Sequence, residues 1–490
     1  MWIWRRQLKR NAVFLIFALM FAMFAACSGK DTQKKYEAED VEVHGGRAMS
    51  EESGFSGKGY VSFGSHINGY VELPFSVSQD GVYAVRITYA AQSKNDWSGV
   101  RVEYDDGKYL CSQRLPESEA FSQVLVNAPL ELAKGQHKLK IIALNRGWLF
   151  DCMEVIPATE EIIASITPSK NPVSKNASAA TRELYDYLLS VRGKGIISGQ
   201  QISSMAEIDV IEEMTGKTPA ILGLDMMDYS PSRVERGARG NSVRRAKAWV
   251  KKGGIVTFCW HWNAPAQLVD EDRPEMRWYD GFRTKATKFD FSKAIKDKNS
   301  EEYRLIIRDI DAIAVQLKSL QDSDVPVLWR PLHEASGGWF WWGSKGAENY
   351  KSLYKILFDR LENYHKLTNL IWVWNAQNPE WYPGDEYVDV VSYDTYPPKR
   401  SYGTFHDELQ AVQSASTKPK LCALSENGTL PDITRLAAEK SVWSWFCTWC
   451  GEFIERGGSY SDEYTDADSL RKFYASEYLI SLDDLRLGGE

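Results

Sequence analysis

The sequence predicts two domains, an all-β sandwich followed by an α/β domain of the (β/α)8 TIM-barrel class. Two patterns carry this reading. From Tyr36 to Pro157, short alternating segments are separated by Gly, Asp and Ser turns; Gly69-Tyr-Val-Glu-Leu-Pro, Val82-Tyr-Ala-Val-Arg-Ile-Thr-Tyr and Gly135-Gln-His-Lys-Leu-Lys-Ile-Ile-Ala are examples. Short strands at regular spacing pack as two sheets. From Thr181 onward, helical stretches such as Thr181 to Val191 and Glu302 to Leu320 alternate with short apolar runs. The runs are Gly195-Ile-Ile-Ser-Gly, Ala220-Ile-Leu-Gly-Leu-Asp, Gly254-Ile-Val-Thr-Phe-Cys-Trp and Val325-Pro-Val-Leu-Trp-Arg, then Leu370-Ile-Trp-Val-Trp-Asn, Val388-Asp-Val-Val-Ser-Tyr-Asp, Lys420-Leu-Cys-Ala-Leu-Ser-Glu and Val442-Trp-Ser-Trp-Phe. Eight strands with helices between them, over roughly 300 residues, have the size and rhythm of a (β/α)8 barrel. A doubly wound sheet would want a Gly-rich phosphate loop after an early strand, and the sequence has none.

The full chain of 490 residues exceeds one ordinary domain. Its boundaries read as a leader over 1–27, a polar tether over 28–35, the sandwich over 36–157, a Ser-, Ala-, Thr- and Pro-rich linker over 158–180 and the barrel over 181–490. In the leader, Arg5, Arg6, Lys9 and Arg10 precede an apolar run from Ala12 to Ala26. That run is shorter than the ~20 apolar residues a spanning helix needs and has the form of a secretory signal. Cys27 after Ala25-Ala26 resembles a bacterial lipoprotein signal, although Phe24 stands where Leu is usual. The resemblance implies lipidation of Cys27 and attachment to the outer membrane of a bacterial envelope, with periplasmic and surface-facing orientations both open.

The 59 Lys and Arg are interspersed with 66 Asp and Glu, which argues against nucleic acid as a partner. The aromatic residues are more informative. There are 18 Trp and 24 Tyr, with clusters at Trp339-Phe-Trp-Trp342 and Trp443 to Trp449, and aromatic faces stack on sugar rings while excluding water. Core packing accounts for most of the aromatic residues but less readily for these two clusters, and the Trp341-Trp342 pair is readable as cleft wall or as packing beneath it. The remaining six Cys are irregularly spaced and imply no disulfide framework. Cys447-Thr-Trp-Cys450 has redox or zinc spacing, but its strand-like surroundings read as buried thiols.

In a (β/α)8 barrel the chemistry gathers at the C-terminal strand ends. Those ends read Ser198-Gly-Gln-Gln201, Gly223-Leu-Asp225, Trp260-His-Trp-Asn263, Arg330-Pro-Leu-His-Glu334, Trp374-Asn-Ala-Gln377, Tyr393-Asp-Thr-Tyr396, Ser425-Glu-Asn427 and Trp445 to Trp449. Glu334 and Glu426 end the fourth and seventh strands and would face each other across one cavity. Such a pair suits a retaining glycosidase, which needs one protonated and one ionised carboxyl ~5–5.5 Å apart. His261 is readable as a core histidine, and Asp225, Asn375 and Gln377 as scaffold or as ligand contacts.

Trp329-Arg-Pro-Leu-His-Glu-Ala-Ser-Gly-Gly-Trp-Phe-Trp-Trp-Gly343 resembles the acid/base segment of glycoside hydrolase family 26, in which endo-β-1,4-mannanases predominate. Gly199-Gln-Gln201, Trp260-His-Trp262, Thr284 to Asp290, Asp389-Val-Val-Ser-Tyr-Asp-Thr-Tyr396 and Leu424-Ser-Glu-Asn-Gly428 extend the match from Thr181 to the C-terminus. The resemblance implies Glu334 as general acid/base and Glu426 as nucleophile, with no cofactor for catalysis. It also implies substrate contacts from His261, His333, Trp339, Asp394, Tyr396 and Trp449, with Tyr396 orienting Glu426 and Trp449 flooring the cleaved sugar. Asn427 stands where Phe is commoner and Cys450 where some relatives have Arg, which bears on outer sugar contacts. β-Mannan, galactomannan or glucomannan is the implied partner of a monomeric enzyme. The same mechanism on β-1,3-xylan or mixed-linkage β-glucan, and a non-catalytic glycan-binding lipoprotein, stand as alternatives.

Tyr36-Glu-Ala-Glu-Asp40, Gly57-Lys-Gly-Tyr-Val and Gly147-Trp-Leu-Phe-Asp-Cys-Met-Glu-Val155 resemble carbohydrate-binding modules of families 35 and 6. There, two first-strand Glu and a last-strand Asp hold a structural Ca2+. The corresponding residues are Glu37, Glu39 and Asp151, the two Glu facing one side of a strand. Asn145 and Trp148 are candidate sugar contacts; the alternative is a spacer that binds nothing.

Overall fold

The computed structural model describes residues 34–64, 66–91, 98–144 and 148–487. The leader, Cys27 and Asn145 lie outside the described residues.

The first domain is a sandwich of two antiparallel sheets. One five-stranded sheet runs in the order Val43–His44, Tyr70–Val77, Gly135–Ala143, Ser98–Tyr104, Lys108–Leu115. The seven-stranded sheet is centred on Gly81–Ala91 and Trp148–Pro157, paired along nearly their whole length. Val71, Leu73, Phe75 and Val77 point inward while their neighbours are partly or fully exposed, the period of two that a half-buried strand imposes. Trp148 departs from its expected role. It opens the last strand facing inward and is fully buried against Phe63 and Phe150, so it has no face to offer a sugar.

The second domain is a closed parallel barrel. Its strands are β1 (Ile196–Ile197, continued by Gly199–Gln201), β2 (Ile221–Asp225), β3 (Ile255–Cys259), β4 (Val327–Arg330), β5 (Leu370–Trp374), β6 (Val390–Thr395), β7 (Leu421–Asn427) and β8 (Trp443–Thr448). Each pairs with the next, and β8 pairs back onto β1. Helix Ala179–Val191 closes the N-terminal end: Leu184, Tyr185 and Leu188 pack with Ile197, Ile221, Ile255, Leu328, Ile371, Val390 and Leu421 from the strands. Ser178 caps this helix by accepting the Thr181 N–H. With the bottom filled by side chains, access is left to the opposite end.

The ring of helices departs from the expected alternation at one place. Residues between β5 and β6 form two 3-10 turns, Pro379–Trp381 and Asp385–Tyr387, rather than an α-helix. Pro379, Pro383 and Gly384 in so short a connection oppose a longer helix. The sandwich docks mainly on the next helix, His406–Gln413, and the residues after it, and touches this connection at Pro379. Arg114 donates from its backbone to Ser416 O at 3.2 Å and from Nη1 to Pro379 O at 3.3 Å. Tyr109 Oη donates to Gln413 Oε1 at 2.6 Å, Arg101 Nη1 to Gln410 Oε1 at 3.1 Å and Asn127 Nδ2 to Thr417 O at 3.1 Å. The Tyr109 ring meets His406 edge-on at 4.3 Å, at the start of helix His406–Gln413.

The segment joining the two domains is packed along its length. It forms a helix, Glu160–Ser165, and buries Ile166 against Ala84 and Ile156. Val173 N–H then donates to Asp389 Oδ1 at 2.7 Å, and Ser174 Oγ to Glu362 Oε2 at 2.7 Å. The indole of Trp372 donates to Glu362 at 2.8 Å and its backbone N–H to Asp389 at 2.8 Å. Burial pushes the Glu362 carboxyl up to about 7 and that of Asp389 to about 6.

A raised carboxyl pKa means that the folded state binds the proton more tightly than the unfolded chain does. The stability this contributes is full below the unfolded value and is lost as pH rises through the folded one. Glu362→Gln removes that dependence. Melting curves from pH 4.5 to 8 are therefore expected to shift progressively in the variant's favour relative to wild type, by on the order of 1–3 kcal/mol. Parallel pH dependences of the two proteins would contradict the assignment.

Candidate active site

The barrel's open end gathers the ends of seven strands into one polar cluster, assembled around Arg330. This last residue of β4 is buried, and its guanidinium donates to Asp394 Oδ2 at 2.8 Å and to Glu426 Oε1. Burial opposes its charge, but the two carboxylates outweigh that and hold it firmly protonated. Asp394 lies near the end of β6, and Glu426 is the penultimate residue of β7. The β6–β7 pairing slips one residue between Tyr393 and Asp394, bringing Asp394 opposite Glu426 rather than Ser425. The second oxygen of Glu426 accepts from Tyr396 Oη at 2.5 Å. A guanidinium and a phenol thus grip both its oxygens.

Glu334 is delivered from the loop after β4. Leu332 and Glu334 both have positive φ, 53° and 51°. Neither is a residue at ease in the left-handed region, and strain of ~1–3 kcal/mol each is typical there. The twist is held by the Glu334 N–H, which donates to Asn375 O at 2.6 Å. It turns the carboxyl inward, where Oε2 accepts from the indole of Trp339 at 2.8 Å. An oxygen from each of Glu334, Asp394 and Glu426 lies within 4.8 Å of the others. Burial, then the nearby negative charge of Glu426, push the Glu334 carboxyl up to about 7.

His333, between the two left-handed residues, joins a second chain of polar groups. Asp225, at the end of β2, pairs with His261 Nδ1 at 2.6 Å, and His261 Nε2 faces His333 Nε2 at 3.2 Å. Burial, with the charge of Arg330 and the neighbouring His261, holds His333 far below its usual pKa and therefore neutral.

Each residue singled out in the sequence is thereby located. Glu334, Glu426, Asp394, Tyr396, His333, His261 and Trp339 form one connected cluster, and Trp449 meets the His261 ring at 6.0 Å. The aromatic runs divide sharply. Trp339 is 45% exposed, whereas Trp341, Trp342, Trp443 and Trp445 are buried and serve as core. Asn427 is also buried, with Nδ2 donating to Thr429 O and Thr448 Oγ1, so it offers no exposed face to a sugar. Arg330 is a position that sequence reasoning left without a role, and Asn375, readable there as scaffold or as ligand contact, is scaffold within the cluster. A cation ending a Val-Leu-Trp run four residues before a Glu is the signal for the first.

At the sandwich, Glu37, Asp151 and Cys152 bring ligand atoms within 4.8 Å of one another. Ser56 Oγ donates to Glu37 at 2.8 Å and sits 3.0 Å from Asp151. Burial raises both carboxyl pKa values, with their mutual charge adding at Glu37. The first strand ends at Glu37, so Glu39 shares no strand face with it; Ala38–Asp40 is a 3-10 turn. Glu39 Oε1 instead accepts the Lys58 and Gly59 N–H groups at 2.6 and 3.0 Å, while Oε2 is buried without a partner. Gly57 is required beside it: φ is +65° and a Cβ would lie 2.4 Å from Glu39 Oε1. Hard oxygens and an unpartnered carboxylate oxygen fit a Ca2+ ion.

Comparison with known proteins agrees with this architecture. Residues 173–483 match the glycosyl hydrolase family 26 model. A mannan endo-1,4-beta-mannosidase of Thermothelomyces thermophilus is 40% identical, over 92% of this chain and 90% of that protein. A second, mannan endo-1,4-beta-mannosidase B of Piromyces, is 31% identical over 95% and 80%. Among solved structures, the GH26-CBM35 beta-(1,4)-mannanase of Podospora anserina superposes with a TM-score of 0.60 at 38% identity, over 93% of this chain and 99% of that one. Barrel, carboxylate cluster and preceding sandwich thus lead to one conclusion: the chain belongs to glycosyl hydrolase family 26.

Proposed function

We propose that this chain is a retaining endo-β-1,4-mannanase in which Glu426 is the nucleophile and Glu334 the general acid/base. The observation carrying the proposal is the proximity of their carboxyl oxygens, within 4.8 Å. Inverting enzymes hold the pair ~6.5–9.5 Å apart to admit a water between the general base and the anomeric carbon, whereas retaining ones use ~5–5.5 Å. The mannan assignment draws its support from the names of the relatives, each a mannan-cleaving enzyme.

In the first step Glu426 attacks the anomeric carbon while Glu334 gives its proton to the departing glycosidic oxygen. Arg330 and Tyr396 hold the attacking carboxylate in one orientation. In the second step Glu334, now ionised, takes a proton from water, whose oxygen attacks the anomeric carbon and releases Glu426. A carboxyl held to about 7 suits both duties, being protonated for the first step and basic enough for the second. Trp339 anchors Glu334 through its indole N–H and exposes a ring face for sugar; Trp449, His261 and His333 line the same cluster. The sandwich carries a structural Ca2+ held by Glu37, Glu39 and Asp151, remote in role from the chemistry. Cys27 bears the lipid that attaches a monomeric enzyme to a bacterial envelope.

Glu334→Ala should lower turnover of mannan ~10³-fold yet retain the first step on an aryl β-mannobioside whose leaving group needs no proton, seen as a rapid burst of phenol before slow hydrolysis of the glycosyl-enzyme. Glu426→Ala should lose ~10⁴-fold or more on both substrates. A protein that binds mannan equally well in all three forms and cleaves it in none would instead be a glycan-binding lipoprotein. Wild-type cleavage of β-1,3-xylan or lichenan with none of mannan would overturn the substrate.

The wild-type rate should fall on the alkaline side of about pH 7, as Glu334 loses its proton, and Glu334→Ala should abolish that limb with the aryl substrate. An alkaline limb that survives the substitution would reassign it.

Chelation of Ca2+ should lower the melting temperature by several degrees, since saturation at ~100 times Kd is worth about 2.7 kcal/mol. Asp151→Asn should abolish that response, and identical melting with and without chelator would remove the ion.

A further inference from the structure

Asn375, the residue after β5, is completely buried and stands between the two catalytic carboxylates without belonging to either strand that carries them. On one side its backbone carbonyl takes the Glu334 N–H at 2.6 Å, and its Oδ1 takes the same N–H at 3.2 Å. Oδ1 also lies 3.4 Å from Arg330 Nη1. On the other side Nδ2 donates to Asp394 Oδ1 at 3.0 Å, and faces Ser392 Oγ at 3.1 Å and Ser425 Oγ, next to Glu426, at 3.4 Å. A primary amide presents an acceptor and a donor from one rigid end. Here the acceptor faces an N–H and a cation while the donor faces a carboxylate, so neither a carboxylate nor an aliphatic side chain of the same length could replace it.

We propose that Asn375 is a positioning residue that ties the loop bearing the acid/base to the charge network holding the nucleophile, so that one amide sets both carboxylates at once. The inference rests on the retaining-hydrolase reading above. With the amide in place, Arg330 is shared between Asp394 and Glu426, because the second oxygen of Asp394 is already satisfied. Without it, that oxygen competes for the guanidinium, the grip on Glu426 loosens, and the strained turn at Glu334 loses one of its two acceptors.

Asn375→Asp and Asn375→Ala test this with mannohexaose, turnover being expressed per folded molecule from near-ultraviolet circular dichroism. In Asn375→Asp the introduced carboxyl can donate to Asp394 as the amide does only while protonated. Its activity optimum should therefore move to the acid side by about one pH unit or more, with kcat at pH 7 falling about 100-fold. Asn375→Ala should lose about 100-fold in kcat at every pH with KM changed less than about threefold. A pH profile in Asn375→Asp parallel to wild type, or an alanine variant within about twofold of wild type per folded molecule, would overturn the role. Failure of both variants to fold would assign Asn375 to the barrel's stability and overturn it equally. Inactivity of the wild type on mannohexaose is a separate outcome, which removes the hydrolase reading itself.

Discussion

The site depends on one buried cation. Arg330 lies at the floor of the cleft with two carboxylates against it and a third nearby. Three acidic groups so close together in a low-dielectric interior repel one another strongly, and burial with that repulsion pushes the Asp394 carboxyl well above its usual range even though the guanidinium pulls the other way. Its presence keeps Glu426 paired, while Glu334, which has no cationic partner at hydrogen-bond distance, is pushed toward neutrality. Two chemically identical side chains thereby sit in different surroundings, one against a cation and the other against an indole N–H. Breaking such a buried pair from one side costs ~3–5 kcal/mol, because a charge is left unanswered. Everything around the cleft, from the Tyr396 hydroxyl to the Asn375 amide, arranges hydrogen bonds about that charge balance.

Much of this was legible in the sequence, for identifiable reasons. Barrel strands are short apolar runs buried on both faces, so Val-Leu-Trp-Arg and Leu-Ile-Trp-Val-Trp announce themselves without help from tertiary context. The carboxylate pair was visible because strand ends share one rim, and position along the chain then translates into position in space. Where side chains point was not legible. Trp148 and Trp339 are the same residue in similarly aromatic settings, yet one is core and the other half exposed. The difference lies in which way a strand's first residue faces and in the left-handed twist before Trp339. Asn375 and Asp225 were readable as scaffold or as ligand contacts, but which groups they pair with was not legible, because those groups come from strands far away in sequence.

The sandwich shows another limit of pattern reading. The spacing of Glu37 and Glu39 suggested a common strand face, but the strand stops at Glu37 and a 3-10 turn carries Glu39 to the Gly57–Gly59 backbone. Gly57 is the cue that composition alone undervalues, since its positive φ and its closeness to Glu39 both exclude a side chain. The segment after Pro157 is comparable. Its Ser, Thr and Pro content reads as slack, whereas Val173 and Ser174 are fastened by carboxylates that belong to the barrel.

The missing helix between β5 and β6 bears on how the two domains are joined. The sandwich reaches that connection through Arg114 at Pro379, and holds the neighbouring helix His406–Gln413 and the residues after it through Tyr109, Arg101 and Asn127. Seated this way, the first domain does not orbit the second on a leash. Any displacement of the first domain relative to the barrel must break these contacts together, so the two are coupled through that helix rather than through the joining segment alone.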